Sequence, residues 1–330
     1  MADPLRLVFM GSDPVALPLL DWLAGGGSAV ATLVGIFTGP DRPSGRGQSV
    51  RPNCVRQWSA GRSLAVLQPE RLDGAATAAL SALRPDMALV VAYGRILGDE
   101  FINAPRLGTL NLHASLLPKY RGASPIQAAV ASGDRETGMT LMRIVRELDA
   151  GPVSDVERVP ISPLDTASDL EARLGLAAVV LSARALPLLA RGELPFRAQD
   201  RTHASFCRRL TKADGALDFS APASVLSARI NGLYPWPSAA FGIGGTDVKL
   251  GLADAMEGGA LGHPGTVLGF GPDGLLIAAG TGVLRVRRLQ RPGGRMLPAP
   301  EFLRGFPVAA GTVIPSRPMA ALVAAEPFRR

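Results

Sequence analysis

Short apolar runs alternate with helical stretches through the first half of the 330-residue chain, and this alternation constrains the fold most. Strands are predicted at residues 6–11, 29–38, 65–68, 87–93, 109–113 and 139–145, and helices at 14–24, 52–60, 75–83, 125–131 and 165–189. Alternation of this kind predicts an α/β fold, a doubly wound, mainly parallel sheet with helices on both faces. Ligands of such sheets bind at the carboxyl ends of strands, so the residues that follow strands are the functional candidates.

The pattern changes at Arg191, where a polar, proline-containing stretch begins. One helix is predicted at 221–231, and short strands separated by glycine-rich turns at 238–243, 246–252, 265–270, 274–278 and 282–290. Five short strands with such turns predict a small β-barrel of the oligonucleotide-binding (OB) type. We therefore expect a first domain at 1–190, a linker at 191–206 and an OB-like domain at 207–330.

Positive charge is concentrated in the second half of the chain. The net charge is +7, and residues 208–330 contain 14 basic and 8 acidic side chains. A nearly neutral first part followed by a basic second part indicates a catalytic part joined to one that contacts a polyanion. A randomly placed surface excess of arginine is the alternative.

Several classes of protein are disfavoured by what the sequence lacks. The three histidines are far apart, with no cysteine or histidine at metal-ligand spacing, so no metal site is expected. The sequence contains no phosphate loop, no dinucleotide-binding glycine motif and no serine-hydrolase elbow. No signal peptide is recognised, and the longest uninterrupted apolar runs are too short to span a bilayer. Two isolated cysteines are typical of a reduced, cytoplasmic setting.

Asn111 and His113 lie two residues apart on a predicted strand, so their side chains point to the same face. An amide and an imidazole at a strand end can both donate hydrogen bonds to an oxygen that becomes negative during a reaction. A polar strand end with a hydrogen-bonded core histidine is the alternative interpretation.

Asp149 follows the predicted strand at 139–145 and precedes Gly151, which would let the backbone approach a ligand. A carboxylate at this place could accept a proton from an attacking amine. It could also simply stabilise a turn. Together, Asn111, His113 and Asp149 suit acyl transfer to nitrogen without a metal or a covalent intermediate.

The stretch from Asn111 to Gly122 resembles the signature of the folate-dependent formyltransferases, Asn-x-His-x-Ser-Leu-Leu-Pro followed by Arg-Gly and a later Asp. The resemblance covers nearly the whole chain, and it implies catalytic roles for Asn111, His113 and Asp149. It also implies a formyltransferase catalytic domain at 1–190 and folate binding by Val91, Ala92, Tyr93, Gly94, Ser115, Leu116, Leu117 and Pro118.

Two features resemble the members of this family that act on methionyl-tRNA. Residues 40–47 resemble a loop that reaches the tRNA acceptor stem, and residues 233–237 resemble the turn that opens the second domain. Gln48 and Ser49 stand where relatives carry lysines, a departure that concerns the strength of contact with the acceptor stem. The resemblance implies tRNA contacts by Arg42 and Arg46, while period-2 geometry puts Arg285 and Arg287 on one face of a strand as a basic stripe.

The resemblance implies 10-formyltetrahydrofolate as co-substrate, initiator methionyl-tRNA as acceptor, no metal, and a role in translation initiation. We expect a cytoplasmic monomer with no membrane contact. An amino-sugar nucleotide formyltransferase is the alternative within the enzyme class, and a non-catalytic RNA-binding protein on the same scaffold is the alternative outside it.

Overall fold

The structure, a computed structural model, describes residues 3–44, 49–258 and 262–328. The chain divides into two compact units. The first comprises Met1–Gly122, Gly138–Val159 and Glu171–Ala204, and the second Ala123–Thr137, Pro160–Leu170 and Ser205–Arg330. Most of the stretch predicted to be a linker therefore belongs to the first unit.

The strands are numbered in chain order. They are β1 (Leu5–Gly11), β2 (Ala31–Phe37), β3 (Arg42–Ser44), β4 (Ser49–Arg51), β5 (Val66–Leu67), β6 (Met87–Val91), β7 (Thr109–His113), β8 (Arg121–Gly122), β9 (Glu136–Arg143), β10 (Val153–Pro160), β11 (Phe206–Cys207), β12 (Ala239–Ile243), β13 (Thr246–Met256), β14 (Val267–Gly271), β15 (Gly274–Ala278), β16 (Val283–Gln290), β17 (Leu297–Pro298) and β18 (Val323–Ala324). The α-helices are α1 (Leu17–Ala24), α2 (Cys54–Ser59), α3 (Gly74–Ala82), α4 (Asp99–Asn103), α5 (Pro125–Ala131), α6 (Ala167–Ala190), α7 (Ala223–Gly232) and α8 (Ala299–Gly305).

The first unit is built on a sheet with the strand order β10-β9-β7-β6-β1-β2-β5. β5, β2, β1, β6 and β7 are parallel, which confirms the predicted mainly parallel sheet. The central strand β1 buries Leu7, Val8, Phe9 and Met10 completely, as expected when helices cover both faces. Because the side chains on both faces of β1 are buried, the polar groups that act on a ligand must lie at the strand ends.

The strand β9 departs from the predicted arrangement because it runs antiparallel to β7. His113 pairs with Thr140 in the middle of β9, and Leu110 pairs with Arg143 at its end. β10 then extends the sheet beyond β9. The hairpin β3–β4, the strand β10 and the short helices α4 and α8 were not predicted.

The helix α6 is longer than any of the uninterrupted apolar runs from which a membrane span was judged absent. It has 24 residues, and by length and composition alone it could cross a membrane. Half of its most apolar stretch, however, is buried inside the fold. The guanidinium of Arg184 on this helix forms salt bridges with Asp155 (2.6 Å) and Glu157 (2.8 Å) on β10. These features are those of a core helix of a folded unit, and length alone does not distinguish such a helix from a membrane span.

The second unit contains an antiparallel sheet in the order β12-β13-β16-β15-β14, with β17 beside β16. Its core includes Phe219, Phe241, Leu250, Val286 and Phe302. A small antiparallel β unit after a mainly parallel sheet is the fold class predicted from the sequence. Closure of the sheet into a barrel stays a prediction.

Candidate active site

The candidate site lies where β1, β6 and β7 end side by side. Gly11 at the end of β1 pairs with Val91 at the end of β6, and Val90 pairs with Asn111 on β7. The backbone amide of Ser12 donates to the carbonyl of Ala92 at 3.3 Å. The predicted folate-binding loop at 91–94 is therefore next to the strand that carries Asn111 and His113.

His113 is a buried imidazole with a defined hydrogen bond at one nitrogen. Its Nε2 lies 2.9 Å from the carbonyl oxygen of Tyr120. A carbonyl can only accept, so Nε2 carries a hydrogen, and the other nitrogen is left for chemistry. That nitrogen, Nδ1, is 3.9 Å from a carboxylate oxygen of Asp149.

Asp149 is placed by backbone contacts on the loop between β9 and β10. The amide of Gly122 donates to its Oδ2 at 2.8 Å, and its φ of +46° lies in the left-handed region. The sequence argument that Asp149 lies at a strand end is wrong about how the chain reaches His113. β9 ends at the far end of β7 from His113, so the loop has to return toward the histidine.

Gly151 lies where the loop of Asp149 packs most closely against β9. A Cβ at this position would lie 1.9 Å from the carbonyl oxygen of Arg143. The glycine therefore allows the loop to pack against the end of β9.

The residues predicted to bind folate lie on two loops. In the loop at 91–94, Val91 is buried, Ala92 is exposed with φ +47°, and Gly94 has φ +72°. Burial raises the pKa of Tyr93, and its hydroxyl has no hydrogen-bond partner within the part of the chain that the structure describes.

Thr140 on β9 ties down the second loop, which contains Ser115–Pro118. Its hydroxyl donates to the carbonyl of Ser115 and accepts from the amide of Leu117 at 3.3 Å. The Ser115 hydroxyl donates to the carbonyl of Lys119 at 2.6 Å, which closes the loop on itself. The loop thereby brings the Tyr120 carbonyl to His113.

Backbone strain is concentrated around this site. Of the five non-glycine residues with positive φ in the described ranges, three lie on its loops: Ala92, Tyr120 and Asp149. Each such conformation costs about 1–3 kcal/mol and persists only where the surroundings impose it. The strain is a signal of function that no sequence pattern carries.

The hairpin β3–β4 presents two arginines directly opposite each other. Arg42 pairs with Arg51, and both are exposed. Like charges in this arrangement are destabilising unless an anion lies between them. Arg46 lies outside the described residues.

Arg285 and Arg287 are partly buried and paired. Both donate to Asp254 on the neighbouring strand, with shortest distances of 2.5 and 2.7 Å. Arg285 also lies 3.6 Å from Asp273. Arg288, where a register irregularity interrupts the pairing of β13 with β16, is exposed. The predicted stripe is therefore neutralised in part, while its neighbour Arg288 is not seen in any ion pair with the described residues.

Two carboxyls form a hydrogen-bonded pair beside the end of β1. Burial and the negative charge of Asp13 raise the pKa of Glu171 to about 7, and burial also raises the pKa of Asp13. Nothing in the sequence pattern indicated this pair, because Glu171 comes from α6, far along the chain.

Two protein-family models match the chain. Residues 5–185 match the model described as "Formyl transferase", and residues 209–307 match "Formyl transferase, C-terminal domain". The chain belongs to the formyl transferase family. A relative named methionyl-tRNA formyltransferase, from Aromatoleum aromaticum, is 39% identical over 311 residues, which cover 94% of this chain and 97% of the relative.

Solved structures share the formyl transferase fold at low identity. HypX from Aquifex aeolicus, in complex with tetrahydrofolic acid, is 17% identical with a TM-score of 0.62, over 95% of this chain and 51% of HypX. The chain thus spans about half the length of HypX. An N-formyltransferase from Helicobacter canadensis, in complex with folinic acid and dTDP-3-aminofucose, is 16% identical with a TM-score of 0.63, over 86% of this chain and 99% of that one.

One residue at the site of this formyl transferase was missed. The Gln199 side-chain amide donates to the carbonyls of Asp149 (2.8 Å) and Gly151 (2.7 Å). Gln199 lies between the two matched family regions and within the stretch predicted to be a linker. Only the folded chain reveals its contact with the loop of Asp149.

Proposed function

We propose that this formyl transferase moves a formyl group from 10-formyltetrahydrofolate to the amino group of methionine carried by initiator tRNA. The observation that carries the proposal is the match with the Aromatoleum methionyl-tRNA formyltransferase, which extends over 97% of that relative. A match of this extent includes both units, whereas a shared catalytic unit alone would leave the acceptor open.

The loops at 91–94 and 115–118 would hold the folate. HypX and the Helicobacter enzyme carry tetrahydrofolic acid and folinic acid in their structures, which supports a folate ligand for this fold. Exposed Ala92 and Gly94 at the end of β6 leave backbone groups open toward a ligand. When bound, the folate would supply a formyl carbon open to attack by an amine.

Asn111 and His113 would stabilise the formyl oxygen as the methionine nitrogen attacks. The Asn111 side chain is partly exposed, and no hydrogen bond joins it to the residues in the described ranges. His113 already donates through Nε2, so it can donate through Nδ1 only in its doubly protonated form. The Asp149 carboxylate, 3.9 Å from Nδ1, is the counter-ion for that form.

Asp149 would also accept the proton that the attacking nitrogen loses, directly or through one water. Its φ and its bond from Gly122 hold the carboxylate toward the histidine and not toward bulk solvent. The same three residues then serve both the charge on oxygen and the proton from nitrogen. The bond between the formyl carbon and N10 of the folate would break as the oxygen charge collapses, and the proton taken from the methionine nitrogen would be returned to N10, so that tetrahydrofolate leaves as a neutral amine.

The hairpin of Arg42 and Arg51 would contact the tRNA near the methionine end. Arg42→Leu should lower formylation of initiator methionyl-tRNA more than it lowers overall tRNA affinity, since the hairpin follows β2 at the ligand edge of the sheet. Formylation and binding are measured with initiator and elongator tRNA. Equal losses on both tRNAs would mean that the arginine is a generic charge.

The second unit would bind the tRNA backbone through its exposed basic side chains. The Asp254 carboxylate accepts hydrogen bonds from the guanidinium groups of Arg285 and Arg287. These two arginines therefore attract a phosphate less strongly than two unpaired arginines would. Exposed Arg288, Arg291 and Arg295 are not seen in any ion pair with the described residues and are better placed to contribute. Such contacts would make binding salt-dependent.

We propose that the enzyme is a cytoplasmic monomer that needs no metal. Cys54 is a free thiol, and the described residues contain no group of three or more His, Cys, Asp or Glu that could hold a metal ion. Sedimentation velocity at assay concentration and turnover in the presence of a chelator test these two properties. A dimer, or activity lost on chelation and restored by a divalent metal, would refute them.

The assay that tests the function mixes the protein and 10-formyltetrahydrofolate with one of four acceptors. These are initiator methionyl-tRNA, free methionine, an amino-sugar nucleotide and water. We expect formylated methionine only when initiator methionyl-tRNA is the acceptor. Product from the amino sugar would instead support the amino-sugar enzyme, and no product with any acceptor would favour a non-catalytic RNA-binding protein.

A further inference from the structure

The loop that carries Asp149 is not held by the sheet. β9 ends beside Leu110, and the amide of Ile144 still donates to the carbonyl of Thr109 on β7 at 2.9 Å, but residues 145–150 have to cross back to His113 without strand pairing to guide them. Val145 and Leu148 are exposed, so apolar burial does not anchor this part of the loop. The positive φ of Asp149 adds strain that favours relaxation. Specific polar contacts must therefore hold the carboxylate in place.

Gln199 makes the contacts that this loop requires. Its amide nitrogen donates to the carbonyl oxygens of Asp149 and Gly151, at 2.8 and 2.7 Å. Its amide oxygen accepts from Nε and Nη2 of Arg121, at 3.2 and 2.8 Å. A glutamine amide has two hydrogens to donate and two lone pairs to accept with, so all four positions are used.

Arg121 holds the Gln199 side chain from a fixed, buried position. Its side chain is almost completely buried, and burial lowers the pKa of its guanidinium. It lies 3.6 Å from Glu147, at the beginning of the same loop, and Glu147 also accepts from Arg201 at 2.8 Å. The next residue, Gly122, donates its amide to the Asp149 carboxylate. The Arg121–Gly122 pair thus holds both the backbone of the loop, through Gln199, and the reactive carboxylate.

The segment around Gln199 is itself paired with the end of the loop. Val153 and Arg197 exchange two backbone hydrogen bonds of 2.8 Å, like neighbours in an antiparallel sheet. The Arg143 guanidinium lies 4.1 Å from the centre of the Phe196 ring. The glutamine is therefore presented from an ordered stretch of the first unit.

We propose that Gln199 is a positioning residue for formyl transfer, which acts by fixing the Asp149 carboxylate relative to His113. The inference rests on the proposed function, because it requires Asp149 to act on the transferred proton. Gln199 itself touches no reacting atom. Its loss should therefore affect the rate of transfer and leave the binding of folate and tRNA nearly unchanged.

The test compares Gln199→Ala with Gln199→Glu. Glutamate keeps the acceptor for Arg121 but replaces the donor with a carboxylate oxygen, which repels the two carbonyls. Both variants should lower kcat by about 10- to 100-fold, the range for a small displacement of a catalytic group. KM for both substrates should stay within about twofold of the wild type. The control variant is Asn103→Ala, which removes a hydrogen bond from a side-chain amide to the Asp99 carbonyl on α4 and should leave kcat unchanged.

A double-mutant cycle with Asp149→Asn separates positioning from a merely structural role. In that background Gln199→Ala should change kcat by less than about twofold, because the group that Gln199 positions no longer reacts. A further loss equal to that in the wild type would overturn the inference. Unfolding of both Gln199 variants, seen as lost thermal transitions, would make Gln199 a structural residue and overturn it too.

The failure of the inference is distinguishable from that of the proposed function. If Asp149→Asn alone keeps wild-type turnover, the catalytic assignment falls, whatever Gln199 does. If the kcat of Asp149→Asn is strongly reduced while Gln199→Ala and Gln199→Glu turn over normally, only the inference falls.

Discussion

Asp149→Asn is the substitution that separates charge from position most cleanly. An asparagine oxygen can still accept from the Gly122 amide, and the backbone carbonyl of residue 149 can still accept from Gln199, so the loop should keep its shape. What disappears is a negative charge 3.9 Å from Nδ1 of His113. At an effective dielectric constant of about 20, the attraction between unit charges at this distance is about 4 kcal/mol.

A loss of about 4 kcal/mol from the transition state corresponds to about a 1,000-fold fall in kcat. Removal of a general base alone lowers rates by about 100- to 10,000-fold, so the two estimates overlap. Single-turnover formylation at saturating substrates measures the effect, with thermal unfolding to show that the variant is folded. We expect the midpoint of unfolding to change little, because the loop bonds are kept.

The matched control is Asp200→Asn, which changes an exposed carboxylate on the neighbouring segment. Asp200 accepts from Thr202 and His203 but has no contact with Asp149 or His113 among the described hydrogen bonds. It should keep full activity. Wild-type kcat for folded Asp149→Asn, or a defect confined to KM, would refute the reasoning.

Three further predictions concern the oxyanion, the carboxyl pair and the tRNA surface. Asn111→Ala and His113→Ala should each cost about 2.7–4 kcal/mol of transition-state stabilisation, and the double variant should lose less than their sum; strict additivity in kcat/KM would contradict a shared oxygen. Because the folded-state pKa of Glu171 is about 7, above its ordinary value of 4.5, this group's contribution to stability is complete below about pH 4.5 and is lost as the pH rises through 7. Thermal unfolding should therefore show Glu171→Gln gaining on the wild type between pH 5 and pH 8, and a difference independent of pH would count against the assignment. Arg288→Leu should reduce the salt slope of tRNA binding by about one phosphate contact, while Arg285→Leu should reduce it less because Asp254 already pairs with that arginine; the reverse order in filter-binding titrations would restore the stripe predicted from the sequence.

Local pattern was sufficient for elements whose ends are marked in the sequence. The strand β7, the helix α5 and the strand β15 have the bounds that the sequence predicts. In α5 a proline in the first turn marks the beginning, and in β15 glycine-rich turns mark both ends. The same signals placed Asn111 and His113 on one strand at the ligand edge of the sheet.

Long-range pairing was what local pattern could not provide. A period-2 run is the same whether a strand is parallel or antiparallel, so the direction of β9 was not predictable from its residues. Arg285 and Arg287 were placed on one face, but their partner Asp254 comes from the neighbouring strand. Gln199 lies in a stretch that was predicted to be a linker from its polar composition. Its role was not predictable because its contacts are with a loop about fifty residues away.

The close approach of Gly151 to Arg143 means that the loop of Asp149 has positions that tolerate substitution and positions that do not. Any side chain at 151 would meet the Arg143 carbonyl at 1.9 Å, so the loop would have to shift outward, and Asp149 is only two residues away. Exposed Val145 and Leu148 face no such barrier. A library aimed at new acceptors can therefore diversify positions 145 and 148, whereas Glu147, which pairs with Arg121 and Arg201, and the part from 149 to 151 have to be kept unchanged.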